Sequence, residues 1–144
     1  LKPAQPVNMR LAYHDACYLG RHNDIYDPPR EVLRAIPGVQ VVEAEQTRDR
    51  GMCCGAGGAQ MWKEEEEGEQ RVNHARTKQL LNVLPGNGDG TALSSACPFC
   101  KTMLTDSLAD LDHEQVGQVD IAEILWQSVG AAQPAGRSAE QPTA

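Results

Sequence analysis

The chain has 144 residues and a mass of 15.6 kDa, enough for one domain with its own core and too little for two. Thirteen Lys and Arg against 20 Asp and Glu give a formal net charge of −7 with no basic run, so nothing attracts a phosphate backbone and nucleic acid is not an expected partner. There is no run of about 18 apolar residues and no basic-then-apolar start, so the sequence contains no membrane span and the expected location is cytoplasmic.

Residues 1–8, Leu1 to Asn8, have linker composition and begin without Met, which suggests a piece of a longer protein. Met9 to Tyr13 then read as a short buried strand that ends at His14-Asp15-Ala16-Cys17. A loop from Cys17 to Arg21 leads to Tyr26-Asp27-Pro28-Pro29, where Asp27 is expected to cap a helix running from about Pro29 to Ile36. Val32, Leu33 and Ile36 recur at helical spacing, and Pro37-Gly38 stops the pattern. Val39 to Glu43 is β-branched and alternating, the mark of a strand.

Polar residues from Gln46 to Arg50 carry the chain to Cys53-Cys54-Gly55-Ala56-Gly57-Gly58. Glycines at 55, 57 and 58 permit positive φ and close approach, so several N–H groups can point at one anionic object. From Met61 to about Leu84 the spacing predicts a helix whose apolar side is Val72, Ala75, Leu80, Val83 and Leu84, opened by the solvated run Glu64 to Glu67. After a loop at Pro85 to Gly90, Thr91 to Ala96 form another buried strand. Cys97-Pro98-Phe99-Cys100 opens a helix with Leu104, Leu108 and Leu111 on one side, and its two cysteines sit three apart near the positive helix end. A short strand at Val116 to Val119 and a last helix through Ile121, Ile124, Leu125 and Val129 follow, with a disordered tail over 130–144.

Strands alternating with helices imply an α/β fold: a small parallel sheet flanked by helices in Rossmann-like layers, with right-handed crossovers. Because cysteines follow successive strands, all five sulfurs would gather at the C-terminal edge of the sheet. All five cysteines belong to this set, Cys17, Cys53, Cys54, Cys97 and Cys100. An odd count with one adjacent pair is a poor disulfide framework, whereas soft thiolates brought together by a fold suit an iron–sulfur cluster or zinc. Two alternatives stand beside the cluster: a structural four-cysteine zinc module for protein interaction, which leaves one sulfur over, and buried or reactive thiols including a Cys53–Cys54 redox pair.

Among the other residues, His14 is expected beside the ligands or as a hydrogen-bonded packing histidine, and Trp62 and Phe99 as wall or core residues. His22, His74 and His113 lie in polar surroundings and read as surface residues. Gly55-x-Gly57-Gly58 is a weak match to a dinucleotide loop, since it follows a cysteine pair and no acidic residue ends a following strand.

The combination of Cys17, Cys53-Cys54-Gly55 and Cys97-x-x-Cys100 resembles the cysteine-rich CCG domain of the family that includes heterodisulfide reductase and the iron–sulfur component of glycolate oxidase, over roughly Met9 to Leu111. His14-Asp15-Ala16-Cys17-Tyr18-Leu19-Gly20-Arg21, Tyr26-Asp27-Pro28-Pro29-Arg30-Glu31-Val32-Leu33 and Ala96-Cys97-Pro98-Phe99-Cys100 are similar to the larger membrane-associated iron–sulfur oxidoreductases of that family. The resemblance implies a CCG iron–sulfur domain over 9–129. Its implied cofactor is a [4Fe–4S] cluster, cubane or noncubane, held by Cys17, Cys53, Cys54, Cys97 and Cys100 and surrounded by His14, Gly55, Gly57 and Gly58. It also implies upstream ferredoxin-like and second CCG domains in the same protein, an electron-transfer flavoprotein or flavin dehydrogenase as donor, a quinone or disulfide acceptor, and attachment of the whole protein to the inner face of the cell membrane.

Overall fold

The computed structural model describes residues 2–64, 68–86 and 88–130. Four parallel strands, β1 (Met9–His14), β2 (Val39–Val42), β3 (Thr91–Ser95) and β4 (Gly117–Asp120), form one sheet in the order β2-β1-β3-β4. The helices are α1 (Gly20–Asn23), α2 (Asp27–Arg34), α3 (Val72–Leu81), α4 (Pro98–Asp110) and α5 (Ile121–Val129), with 3₁₀ turns at Arg48–Arg50 and Gly57–Trp62. The class is α/β with a parallel sheet, as the alternation of the sequence implies.

The two central strands explain the layering. From Leu11 to His14 and from Ala92 to Ser95 every residue is buried, as a parallel sheet covered on both faces requires. Alternation sends Leu11, Tyr13 and Ala92 to one face, against Leu33 and Ile36 from the α2 region and Ile124 of α5. It sends Ala12 and Leu93 to the other, against Leu80 and Leu84 from the α3 side and Leu104 and Leu108 of α4. The sheet is thus wound on both sides.

The strand order carries the functional consequence. The chain passes from β1 outward to β2, then returns across β1 to β3 and β4, so the direction of winding reverses between β1 and β3. Their carboxyl ends lie side by side, with His14 opposite Ser95 in the last rung. In open α/β sheets the crevice outside such a switch point is where ligands bind.

Several local expectations need correction. Asp27 is the first residue of α2, not its cap; its carboxylate pairs instead with Arg48 at 2.6 Å. The helix expected from Met61 begins only at Val72: Met61 and Trp62 close a 3₁₀ turn kinked at Gly58 and Ala59, whose φ are 63° and 62°, and the chain is extended at Lys63 and again at Arg71. Glu65 to Glu67 and the expected tail beyond Gly130 lie outside the described residues. The segment before β1 carries hydrogen bonds of its own. Ala4 N and Gln5 N each donate to Ser128 O at 2.9 Å, and Ser128 Oγ donates to Gln5 O at 2.7 Å.

Candidate metal centre

The cysteines arrive on separate local devices, with Cys53 and Cys54 sharing one. Cys17 lies in the turn three residues past the end of β1, and Cys97 two residues past the end of β3, where its extended backbone caps α4. Pro98 starts α4 without needing an N–H partner, and the first turn swings Cys100 inward to full burial. Cys53 and Cys54 come in on the loop after β2, where Gly55 turns the chain with a φ of 90°. That turn requires glycine for its backbone conformation, since a Cβ there would meet only ordinary contacts at 3.5 Å.

The result is one lined crevice at the switch point. Cys17, Cys53, Cys54 and Cys100 border it together with His14, Asp15 and Arg21. Cys97 is absent from this lining but packs, half-buried, against the cluster of Ala16, Cys54 and Cys100. A ring nitrogen of His14 and the Sγ atoms of Cys54 and Cys100 lie within 4.8 Å of one another, and all three residues are buried. No two cysteines are joined in a disulfide.

The electrostatics of this crevice are unusual for thiols alone. The Cys53 thiol is raised above its ordinary range by its hydrogen bond with Cys54 and by burial. Cys54 is pushed up to about 11, first through its bond with Cys100 and also through burial. Adjacent sulfurs cannot easily lose protons together, because the first thiolate repels the second. A bound metal removes that obstacle and releases the protons.

The surroundings are prepared for negative charge. Gly55 N donates to Cys53 Sγ at 3.3 Å, and the nearby amides of Gly57 and Ala56 favour the charged forms of Cys53 and Cys54 respectively. This is a nest of consecutive N–H groups around sulfur. Gly58 adds none; it supplies only the left-handed φ that reverses the chain. The N-terminal end of α4 adds its dipole at Cys97.

The decisive addition was hidden in the sequence. Of the apolar side expected here, Leu80 and Leu84 are buried and Val83 packs against them, but Val72 is 46% exposed, and helix α3 also buries the polar Asn73, Arg76 and Thr77. Asn73 Nδ2 donates to Met103 O at 3.2 Å, tying α3 to α4. Arg76 is fully buried; its Nε donates to His14 Nδ1 at 3.1 Å, its Nη1 to Gln46 O at 2.8 Å and to Gln79 Oε1 at 3.0 Å, and its Nη2 has no partner. Among the described residues no carboxylate pairs with it. The burial and the Arg76 charge together hold His14 neutral, its pKa pushed down to about 3. A buried cation with a free N–H pair, bonded to the His14 that borders Cys54 and Cys100, fits an anionic thiolate-bound group better than it fits thiols. The buried spacing 73, 76, 77, 80 was readable as a helical stripe, but its polarity concealed it.

Other expectations fail at the surface. Trp62 and Phe99 are 76% and 54% exposed, so neither is core. His74, expected in solvent, is largely covered and its Nε2 meets Asp110 Oδ2 at 2.9 Å.

The CCG cysteine-rich domain model matches residues 11–105. The chain belongs to the CCG cysteine-rich domain family. It is 53% identical over 130 residues to a probable iron–sulfur-binding oxidoreductase, FadF, of Bacillus subtilis, covering 90% of this chain and 18% of that protein. It is 45% identical over 136 residues to an EtfAB:quinone oxidoreductase of Syntrophomonas wolfei, with the same coverage of 90% and 18%. Against a component of the dihydromethanophenazine:CoB–CoM heterodisulfide reductase of Methanosarcina barkeri it is 39% identical over 130 residues, covering 90% of this chain and 30% of the relative. The chain therefore spans less than a third of these relatives, which are named as oxidoreductases or their components. No solved structure matches it. No helix among the described residues is long and apolar enough to cross a membrane.

Proposed function

We propose that this CCG domain is an electron-transfer module of an iron–sulfur oxidoreductase, with Cys17, Cys53, Cys54, Cys97 and Cys100 as ligands of a [4Fe–4S] cluster. The observation that carries the reading is the convergence, at the switch point of the sheet, of four cysteines lining one crevice and a fifth packed against them, with a buried arginine held to the crevice residue His14. When bound, such a cluster takes up and gives back one electron at a time. A cubane uses four thiolates, so a fifth at the same place favours the noncubane form.

The chain's own residues would work around the cluster. The five sulfurs hold it, and the amides of Gly55, Ala56 and Gly57 with the α4 terminus offset the charge gained on reduction. Leu19, Met103 and Ala56 pack against the buried sulfurs and limit water. Residues 1–8 would connect an upstream region carrying ferredoxin-like and second CCG domains, 9–129 form the cluster domain, and 130–144 the tail. Electrons would pass from an electron-transfer flavoprotein or flavin dehydrogenase to a quinone or disulfide acceptor. The whole protein would work in the cytoplasm at the inner face of the cell membrane. The names of the relatives and the free state of every cysteine support this placement.

Anaerobic reconstitution of the chain with iron and sulfide, followed by metal analysis and EPR, tests the proposal. About four irons with labile sulfide per chain are expected, and a Cys53→Ala variant is expected to lose the cluster or convert its EPR signal. One bound zinc without visible absorbance would replace the proposal with a structural module.

A further inference from the structure

We propose that Arg76 is a positioning residue for the centre: it clamps His14 so that the imidazole presents an Nε2–H donor to the sulfurs of Cys54 and Cys100, and it supplies a buried positive charge that stabilises the reduced centre. The proposal rests on the iron–sulfur reading above.

The tautomer follows from donor chemistry. A guanidinium has five N–H donors and no acceptor, so Arg76 Nε, 3.1 Å from His14 Nδ1, can only donate. Nδ1 must then carry its lone pair. An imidazolium has no such lone pair, so the ring is neutral and its single hydrogen sits on Nε2. The His14 ring meets Cys54 and Cys100 with a nitrogen and two sulfurs inside 4.8 Å. With Nδ1 engaged, the group left to face the sulfurs is the Nε2–H. With its one lone pair engaged by Arg76, His14 offers none to a metal, so the His14, Cys54, Cys100 trio does not make a mixed histidine–cysteine zinc site.

The second role follows from what Arg76 lacks. Nη1 is held by Gln46 O and Gln79 Oε1, and Nη2 has no partner at all in a fully buried side chain. Leaving a buried guanidinium without a carboxylate is costly unless another anion completes it. Its Nε partner His14 borders the sulfurs of Cys54 and Cys100, and the charges that favour the cation are those of Asp15 first, then Cys100 and Glu43. Each electron added to the centre makes it more negative, so a fixed positive charge beside it favours reduction.

Two measurements on the full chain decide the matter. In the first, wild type, Arg76→Gln, Arg76→Lys and Arg10→Gln are reconstituted, checked for iron and sulfide, and titrated to their midpoint potentials by EPR. Arg76→Gln is expected to make one-electron reduction at least about tenfold less favourable, a fall of about 59 mV. Arg10→Gln, which removes the same charge at the opposite end of β1, is expected to leave the potential in place. An Arg76→Gln midpoint equal to that of Arg10→Gln overturns the charge role. In the second, nitrogen-15 NMR of labelled histidine is recorded on the metal-free chain. Wild type is expected to show His14 as the Nε2–H tautomer alone, and Arg76→Lys, which keeps charge but loses the Nε bond, a mixture. A pure Nε2–H tautomer persisting in Arg76→Lys overturns the clamp. Should Arg76→Gln fail to fold by circular dichroism, Arg76→Met takes its place in the potential measurement with the same expected fall, and the Arg76→Lys tautomer still decides the clamp. If wild type takes up no iron and sulfide, the iron–sulfur reading and the charge role fall together, while the nitrogen-15 result still decides the clamp.

Discussion

Two fully buried arginines stand on opposite faces of β1, and the polar company they keep is opposite in kind. Arg30, on α2, has every N–H engaged. Its Nε donates to Glu43 Oε1 at 2.7 Å, its Nη1 to Asp15 Oδ1 and Tyr26 O at 2.7 Å each, and its Nη2 to Asp15 Oδ2 and Glu43 Oε2 at 2.9 Å and Thr47 Oγ1 at 2.8 Å. Its guanidinium also lies 5.0 Å above the Tyr13 ring. Arg76, on α3, has no carboxylate and an idle Nη2. The difference separates two uses of the same residue. A closed network of one cation and two carboxylates fixes the loops that carry Asp15 and Thr47, and so shapes the approach to Cys17 and Cys53. An open cation leaves a charge for something outside the protein chain to balance.

The largest effect should come from opening the closed network. Arg30→Met strands two buried or half-buried carboxylates and is expected to cost about 3–5 kcal/mol in urea unfolding of the metal-free protein. Arg76→Met removes a charge that is already uncompensated, so despite three lost hydrogen bonds it should cost about 2 kcal/mol less than Arg30→Met. Equal losses in the two variants would erase the distinction between them.

A smaller effect appears with pH. Burial raises the Glu43 carboxyl, but the hydrogen bond and charge of Arg30 more than reverse this and leave it below its ordinary value of 4.5. A carboxyl depressed in the folded state contributes stability above that value and loses it as pH falls through the folded one. Metal-free protein should therefore lose stability on this account as pH falls below about 4.5. Glu43→Gln should flatten that part of the stability curve. An unchanged slope in Glu43→Gln would show that Arg30 does not hold the carboxylate in its charged form.

The sequence made one of these two regions partly legible and hid the other. The apolar runs at Met9–Tyr13 and Thr91–Ala96, each followed by a cysteine, are strong signals because parallel central strands must be apolar on both faces. The positions of Cys17 and Cys97 were legible because each follows within three residues of the strand that places it, whereas Cys53 lies 11 residues beyond β2 and was marked only by its neighbours Cys54 and Gly55. Neither arginine announced itself. Arg30 reads as an ordinary charged residue in a short helix, and its partners lie 13, 15 and 17 residues away. Arg76 meets His14 across 62 residues, and only the tertiary fold turns a polar helix side toward the crevice. The kink at Gly58 and Ala59 was equally invisible, since a helix-forming pattern around Met61 says nothing of two consecutive residues in the left-handed region.

The smallest effect probes how much of the closed network is redundancy. Thr47 Oγ1 accepts from Arg30 Nη2 and lies 2.9 Å from Asp15 Oδ2 and 3.1 Å from Glu43 Oε2, donating its one hydrogen to either. In Thr47→Val the guanidinium keeps both carboxylates, so no charge is stranded and only a hydroxyl's bonds are lost. The expected cost is about 1 kcal/mol in the metal-free protein. The midpoint potential of the reconstituted centre should stay at the wild-type value, since the Arg30 charge is balanced by Asp15 and Glu43 with or without the hydroxyl. A loss as large as that of Arg30→Met would mean that Thr47 is the keystone of the network and not a supplement to it. A potential that moves as far as in Arg76→Gln would mean that the closed region, too, sets the charge at the sulfurs, and the contrast between the two arginines would fall.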